Sequence, residues 1–353
     1  NQRIASLHTD QVLPVWCIDA LKDERRPIAK ADAGKTRIFY NCSMDANIVM
    51  RQYYLSCLAH MMTQSPWSTV SVGVDVHSTD WTHLFLHLQS TGPNWIGGDY
   101  SCWDKTVPWQ VMISICEVMD EWYNDGPEES HARLNIAMAC LAPYHIAAGT
   151  VWRSHQGMVS GIPLTASGNS LANIFLLRMA YAAGCIRKGI PVDFSKIRMC
   201  AYGDDHLVSV PNSLKWFNMQ YLQQFFAKYG IVYTDAAKNA DVKEFESLDD
   251  LTYLKRKFVK DGQIIQAPLD LNVIREMVLW VRKSKDMDLT EATIQNCESA
   301  LRELTHYPRS VWNQYYKMWN NALRDRYGVQ LPVTSYEECR RFRNLHWDTG
   351  GVD

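Results

Sequence analysis

Two successive carboxylates, Asp204 and Asp205, follow Tyr202-Gly203 and lie between the apolar runs 197–201 and 206–210. Short apolar segments on either side of a Gly-Asp pair predict a β-hairpin that delivers both carboxylates to one point at its turn. Carboxylates that close repel each other unless a cation neutralises them, and their hard oxygens suit Mg²⁺. On its own such a turn serves equally as an acidic surface turn without chemistry. Upstream, Asp99 and Asp104 stand five residues apart in the segment 95–104. That segment reads as a strand ending at Asp99, a turn, and an amphipathic helix from Thr106 to Tyr123. Pro108 falls in its first turn, where a missing N–H costs nothing. The plain alternative for Asp99 is a helix N-cap.

These carboxylates need elements to hold them. Residues 157–173 form a Gly/Ser loop, including Ser160-Gly161, that enters a long apolar helix ending at Gly189. Ser213 is a candidate cap for a helix running through Trp216, Tyr221 and Phe225 to Gly230. Strand-like stretches occur at 37–40 and 150–153. Toward the C-terminus, 270–284, 290–306 and 308–327 carry apolar residues at three- and four-residue spacing, with Thr290 and Pro308 as starts and Gly328 as a stop. Trp312, Tyr315, Tyr316 and Trp319 are expected in a core there rather than on a base-stacking surface.

The chain has 353 residues, 47% hydrophobic and 21% charged, enough for a large core and two or three lobes. No apolar run reaches the roughly 18 residues of a membrane-spanning helix, so direct membrane insertion is not expected. The start Asn1-Gln2-Arg3 shows no secretory signal and reads as the edge of a fragment. Of ten cysteines the nearest two, Cys102 and Cys116, are fourteen residues apart, which denies zinc spacing and favours free thiols. Net charge is −2, yet residues 22–37 hold six basic side chains against three acids. Taken alone, that segment reads as a solvated charged loop.

Order along the chain changes this reading. Asp99-x4-Asp104, then Ser160-Gly161-x3-Thr165-x3-Asn169-x3-Asn173, then Tyr202-Gly203-Asp204-Asp205 resembles three palm motifs of viral RNA-dependent RNA polymerases, most closely those of picornavirus-like positive-strand RNA viruses. Lys22-Asp23-Glu24-Arg25-Arg26 through Arg37-Ile38 looks like the basic fingers motif. Ala236-Ala237-Lys238 looks like the lysine-bearing motif, and Leu254-Lys255-Arg256 like the primer-grip turn. The resemblance spans residues 22 to 256.

The resemblance implies an α+β right-hand polymerase fold: fingers over about 1–55, palm over 56–135, a fingers insertion over 136–157, palm again over 158–257 and a helical thumb over 258–353. Only 21 residues precede Lys22, so the family's fingertip extension is expected to be missing. It implies template-directed nucleotidyl transfer with two Mg²⁺ ions, for which Mn²⁺ can substitute. Asp99 and Asp204, expected on neighbouring strands of one sheet, would be bridging ligands and Asp205 a supporting one. Lys238 would protonate departing pyrophosphate, a solvated surface lysine being the rival reading. Arg37 and Lys35 would contact the triphosphate, with Lys22, Arg26 and Lys30 along the same channel; Arg25 departs from the family, which often has an apolar residue there. Asp104, Thr165 and Asn169 would recognise the ribose. Ser160 and Gly161 would follow the template backbone, the glycine supplying φ > 0, and Lys255 and Arg256 would hold the primer.

Implied partners are RNA template and primer, nucleoside triphosphates, a genome-linked protein primer and other viral replication proteins. The implied location is the host cytoplasm, at membrane-associated replication complexes. A reverse transcriptase shares palm and metals but closes off the 2′ position with a bulky residue, where this chain offers Asp104 and Asn169. An inactive RNA-binding scaffold is opposed by the presence of every metal-binding carboxylate.

Overall fold

The computed structural model describes residues 2–235, 241–281 and 285–341. The chain packs as two compact units, one from the described residues among 1–73 and 91–245, the other from those among 74–90 and 246–353. Residues 74–90, which the sequence reading assigns to the first palm segment, thus pack with the C-terminal residues.

Strands β1 (Trp16–Leu21), β2 (Ile38–Cys42), β5 (Tyr144–Ala147) and β6 (Thr150–Arg153) form a sheet in the order β2-β1-β5-β6. Alternation along the strands sends Cys17, Asp19, Tyr40, Cys42 and His145 to one face. The Asp19 side chain is buried there, 2.8 Å from His145 Nδ1, and accepts from the indole of Trp152 at 3.0 Å. Trp152 stacks on His145 at 4.1 Å, so the carboxylate is enclosed with its partners in place.

A second sheet holds β3 (Asn94–Ile96), β8 (Asp205–Val210) and β7 (Arg198–Tyr202), in that order. The predicted hairpin is present: β7 and β8 pair antiparallel with Tyr202 opposite Asp205, leaving Gly203-Asp204 as a two-residue turn. Gly203 has φ +65°, a conformation glycine takes without steric cost. The helix Thr165–Lys188 packs against β7 and the helix Trp109–Tyr123 packs against it in turn. Leu177 and Leu207 are fully buried in this core, each worth roughly 1.5–3 kcal/mol of transfer free energy. Gly189, left-handed at φ +66°, stops the long helix where the sequence predicts.

Several boundaries differ from the sequence reading. The helix expected from Thr106 starts at Trp109 behind a short turn of helix, Trp103–Thr106, because Pro108 is extended at its N-cap. Asn218, not Ser213, caps the helix Met219–Ala227, accepting from Tyr221 N–H at 2.9 Å; Ser213 lies in a 3₁₀ turn. The helix expected over 270–284 covers Leu271–Met277, with 282–284 outside the described residues.

In the C-terminal unit, Leu289–Glu303 and Arg309–Tyr327 pack around Leu301, Leu304, Trp312, Tyr315 and Trp319, so the aromatics are core as expected. Asp288 caps the first of these helices, accepting from Thr290 N–H. Trp81 stacks on Phe258 at 4.6 Å, which binds Asp80–Gln89 into this unit.

Candidate active site

The Gly203-Asp204 turn is gripped from beneath by the helix Thr165–Lys188. Ser170 Oγ accepts from Gly203 N–H at 2.8 Å. The Asn173 amide donates to the carbonyls of Gly203 and Asp204 at 3.1 and 3.0 Å, while its oxygen accepts from Tyr100 O–H at 3.0 Å. Ser170 and Asn173 are fully buried, three residues apart on one helical face. His206 follows the carboxylates with Nδ1 3.3 Å from the Asp204 carbonyl and Nε2 2.8 Å from the Tyr233 hydroxyl. Burial drives the His206 pKa down to about 4, partly countered by that carbonyl and by the Asp99 charge, so the ring is neutral near pH 7.

Asp99 does not lie on a strand hydrogen-bonded to the hairpin, which corrects the expected arrangement. The ladder between β3 and β8 ends at Ile96↔Val208. After Gly97 the chain continues as β4 (Gly98–Tyr100), paired with β9 (Tyr233–Asp235), with Asp99 opposite Thr234. Asp99 is therefore the middle residue of a strand rather than its end. β4 nonetheless packs against β8, which brings Asp99 beside the hairpin. The Asp99 charge acts on His206, two residues beyond Asp204, and the Asp204 charge acts on Tyr100, the neighbour of Asp99. Burial first, then Tyr233 and Asp204, hold the Tyr100 phenol well above its ordinary value. Asp205 begins β8 and is half-buried.

Residues 157–165 tie the other predicted side chains to this locus. Met158 N–H donates to the Asp104 carbonyl at 2.9 Å, which fixes the backbone of that exposed aspartate. Ser160 Oγ accepts from Tyr40 N–H at 3.2 Å. Gly161 has no positive φ; its role is close approach, since a Cβ there would collide with the Tyr40 carbonyl. The Thr165 hydroxyl lies 2.9 and 2.7 Å from the carbonyls of Val159 and Ile162, so its proton is engaged within the loop. Asn169 is 8% exposed, and its side-chain oxygen accepts from the Trp103 indole at 2.9 Å, leaving its N–H groups as the free end of the amide. Asp104 also lines a cavity of about 250 Å³ with Tyr40, His145, Trp152 and Gln156. Exposed Cys102, left-handed at φ +56°, precedes Trp103 at the start of the short helix Trp103–Thr106.

In the basic segment, Glu24 lies 3.4 Å from Arg37 and 3.7 Å from Arg26, the second distance too long for a hydrogen bond. Arg26 also donates to the Lys35 carbonyl at 3.0 Å. Lys30 and Lys35 are exposed, Lys22 half-buried. Lys238 lies outside the described residues.

Arg256, expected to hold the primer, turns inward in the C-terminal unit. Arg256 is 8% exposed; its guanidinium grips both Glu303 oxygens at 2.9 and 2.8 Å and donates to the Ala267 carbonyl at 2.7 Å. Three of its five N–H groups are thus engaged inside the fold, which gives Arg256 a structural role there. Exposed Lys255 remains, at the turn between β10 (Thr252–Tyr253) and β11 (Arg256–Lys257), where Leu254 and Lys255 both adopt positive φ.

Among the described residues no group of three or more His, Cys, Asp and Glu side chains is set to hold a metal. Two carboxylates nonetheless fit Mg²⁺, which is commonly held by one or two carboxylates together with substrate phosphates and water.

Sequence reasoning assigned no role to Trp103, Ser170, Asn173, His206 or Tyr233. The four-residue spacing of Asn169 and Asn173 was the one usable signal, because it puts both on one helical face.

Comparison with known proteins identifies the lineage. The family model described as viral RNA-dependent RNA polymerase matches residues 1–317. The chain is 34% identical over 349 residues to the replicase polyprotein of Acute bee paralysis virus (strain Rothamsted), covering 95% of this chain and 18% of the polyprotein. It is 31% identical over 342 residues to the RNA1 polyprotein of Cherry rasp leaf virus, covering 91% of this chain and 15% of that one. The chain thus spans a fifth or less of these relatives. A solved Sicinivirus 3Dpol RNA-dependent RNA polymerase superposes with TM-score 0.78 at 22% identity, over 99% of this chain and 70% of that one. The architecture is accordingly the right-hand polymerase fold, and the chain belongs to the viral RNA-dependent RNA polymerase family.

Proposed function

We propose that this chain extends an RNA primer on an RNA template, joining the primer 3′-hydroxyl to the α-phosphate of a nucleoside triphosphate and releasing pyrophosphate. What supports the reading is the Asp204 turn clamped by Ser170 and Asn173, together with Asp99 on β4, which packs against β8. Asp99 and Asp204 would hold divalent metal, Mg²⁺ or in its place Mn²⁺, with Asp205 in support. Bound there, two such ions supply charge for the attacking and leaving oxygens.

The chain's own groups do the rest. Arg37, Lys35, Lys30, Arg26 and Lys22 would draw the triphosphate in. Arg37 must leave Glu24 to do so, and an exposed pair of this kind is worth only about 0–1 kcal/mol. Asn169 presents amide donors and Asp104 a carboxylate, and a ribose 2′-hydroxyl can satisfy both because it accepts and donates. Thr165 supports that pocket by holding the loop that carries Ser160 and Gly161 along the template. Lys238 would hand a proton to pyrophosphate, and Lys255 would contact the primer strand. In the infected cell the reading places the chain with other viral replication proteins and a genome-linked protein primer.

Primer extension on a defined RNA template is the test. Asp204→Asn and Asp99→Asn should each abolish extension while RNA binding stays measurable, since losing one ligand removes several kcal/mol of transition-state stabilisation. Extension at near-parental rates by either variant ends the assignment.

A further inference from the structure

We infer that His206 and Tyr233 act as a positioning pair that sets the backbone of the Asp204 turn and so holds its carboxylate ready for a divalent cation. The inference builds on the proposed role of Asp204 and extends it to two buried residues.

The proton positions follow from the acceptors. Nδ1 of His206 lies 3.3 Å from the Asp204 carbonyl oxygen and 3.5 Å from the Asn173 amide nitrogen, and a backbone carbonyl only accepts, so a hydrogen on Nδ1 is directed at that carbonyl. Nε2 lies 2.8 Å from the Tyr233 hydroxyl. The imidazole thus bridges the Tyr233 hydroxyl and the Asp204 carbonyl. That carbonyl also receives the Asn173 amide at 3.0 Å, so two partners from different elements fix its direction. His206 and Tyr233 are each 1% exposed.

The strand bearing the other carboxylate is shaped around the same hydroxyl. A Cβ at Gly98, one residue before Asp99, would collide with the Tyr233 ring and its oxygen. The imidazole and the Tyr233 ring stack at 5.6 Å, and Tyr100 packs edge-on against Tyr233 at 5.2 Å. Both carboxylate-bearing segments thus lean on Tyr233. Filling this space with two apolar side chains would avoid desolvating polar groups. A directed hydrogen-bond relay, unlike an apolar pair, can dictate where a carbonyl points.

The experiment uses the full chain with Tyr233→Phe, His206→Leu, His206→Asn and the control Asp204→Asn. Three readouts are taken: Mn²⁺ affinity by electron paramagnetic resonance without nucleotide, deuterium exchange of the peptide covering 198–210, and primer extension against Mg²⁺ concentration. Tyr233→Phe and His206→Leu should weaken Mn²⁺ binding and raise the half-saturating Mg²⁺ by roughly 5- to 10-fold, and exchange in the hairpin should quicken, because a 1 Å misplacement already costs on the order of 10²-fold in rate. RNA affinity and the unfolding midpoint of Tyr233→Phe should stay near parental. His206→Asn, whose amide can still donate to the carbonyl, should recover most of the loss. The double variant Tyr233→Phe/His206→Leu should be no worse than the poorer single one, as expected for groups acting as a unit. Parental metal affinity and hairpin exchange in Tyr233→Phe overturn the inference even if His206→Leu does not fold. If Asp204→Asn is inactive while the pair variants bind metal normally, only the positioning role is lost. If Asp204→Asn extends normally, the catalytic reading falls and takes this inference with it.

Discussion

Asn169 shows how one hydrogen bond can decide what a side chain offers. The Trp103 indole occupies its oxygen, which leaves the N–H groups as the end of the amide the indole does not engage. Trp103→Phe keeps an aromatic ring but removes the donor along with part of the indole's volume, freeing the amide to turn. Its ribo- to deoxynucleotide preference should therefore shrink together with that of Asn169→Ala. An unmatched buried group costs roughly 1–3 kcal/mol, so each variant should lose about tenfold or more in selectivity. The ratio of incorporation efficiencies for one matched nucleotide pair measures it, and an unchanged ratio in Trp103→Phe removes the indole from sugar selection. The aspartates, Asn169 and Asn173 were legible as members of motifs shared with the polymerase family, although the grip of Asn173 on the turn carbonyls was not. Ser170 and His206 were not, because they act on a backbone atom or on a partner about thirty residues away, and no local pattern encodes such a pairing.

Between residue and molecule, the loop at 157–165 is where sequence and structure agree on importance and differ on reason. Glycine at 161 suggested a need for positive φ; the structure instead brings the Tyr40 carbonyl against its α-carbon. Gly161→Ala should push the loop from β2 and destabilise this unit by about 1–3 kcal/mol, the usual range for overpacking, read as a lower unfolding midpoint. Boundaries were the least legible part. Ser213 and Asn218 are both good capping types, and only tertiary packing decides that the helix begins after the second. Asn218→Ala should cost about 1 kcal/mol while Ser213→Ala leaves stability near parental, as denaturant titration would show. A reversed order would return the cap to Ser213.

At the scale of the whole chain, the buried Arg256–Glu303 pair separates a stabilising role from an RNA-contacting one. Arg256→Ala leaves the Glu303 charge buried without its main partner and should destabilise by roughly 3–5 kcal/mol, whereas Lys255→Ala should weaken RNA binding with stability unchanged. Paired unfolding and RNA-binding measurements distinguish the two, and reversed effects would reinstate Arg256 as a primer contact. The motif order disclosed the polymerase architecture because each motif serves its own chemistry. The attachment of 74–90 to the C-terminal unit was hidden, since it rests on the stacking of Trp81 against Phe258, far apart in the chain. The cysteines carry a last, practical consequence. Nine of the ten are buried and Cys102 alone is exposed, two residues from Asp104. Brief maleimide treatment of the folded protein should add a single adduct, located by peptide mass spectrometry. A dye attached there would sit two residues from Asp104 without any engineered mutation.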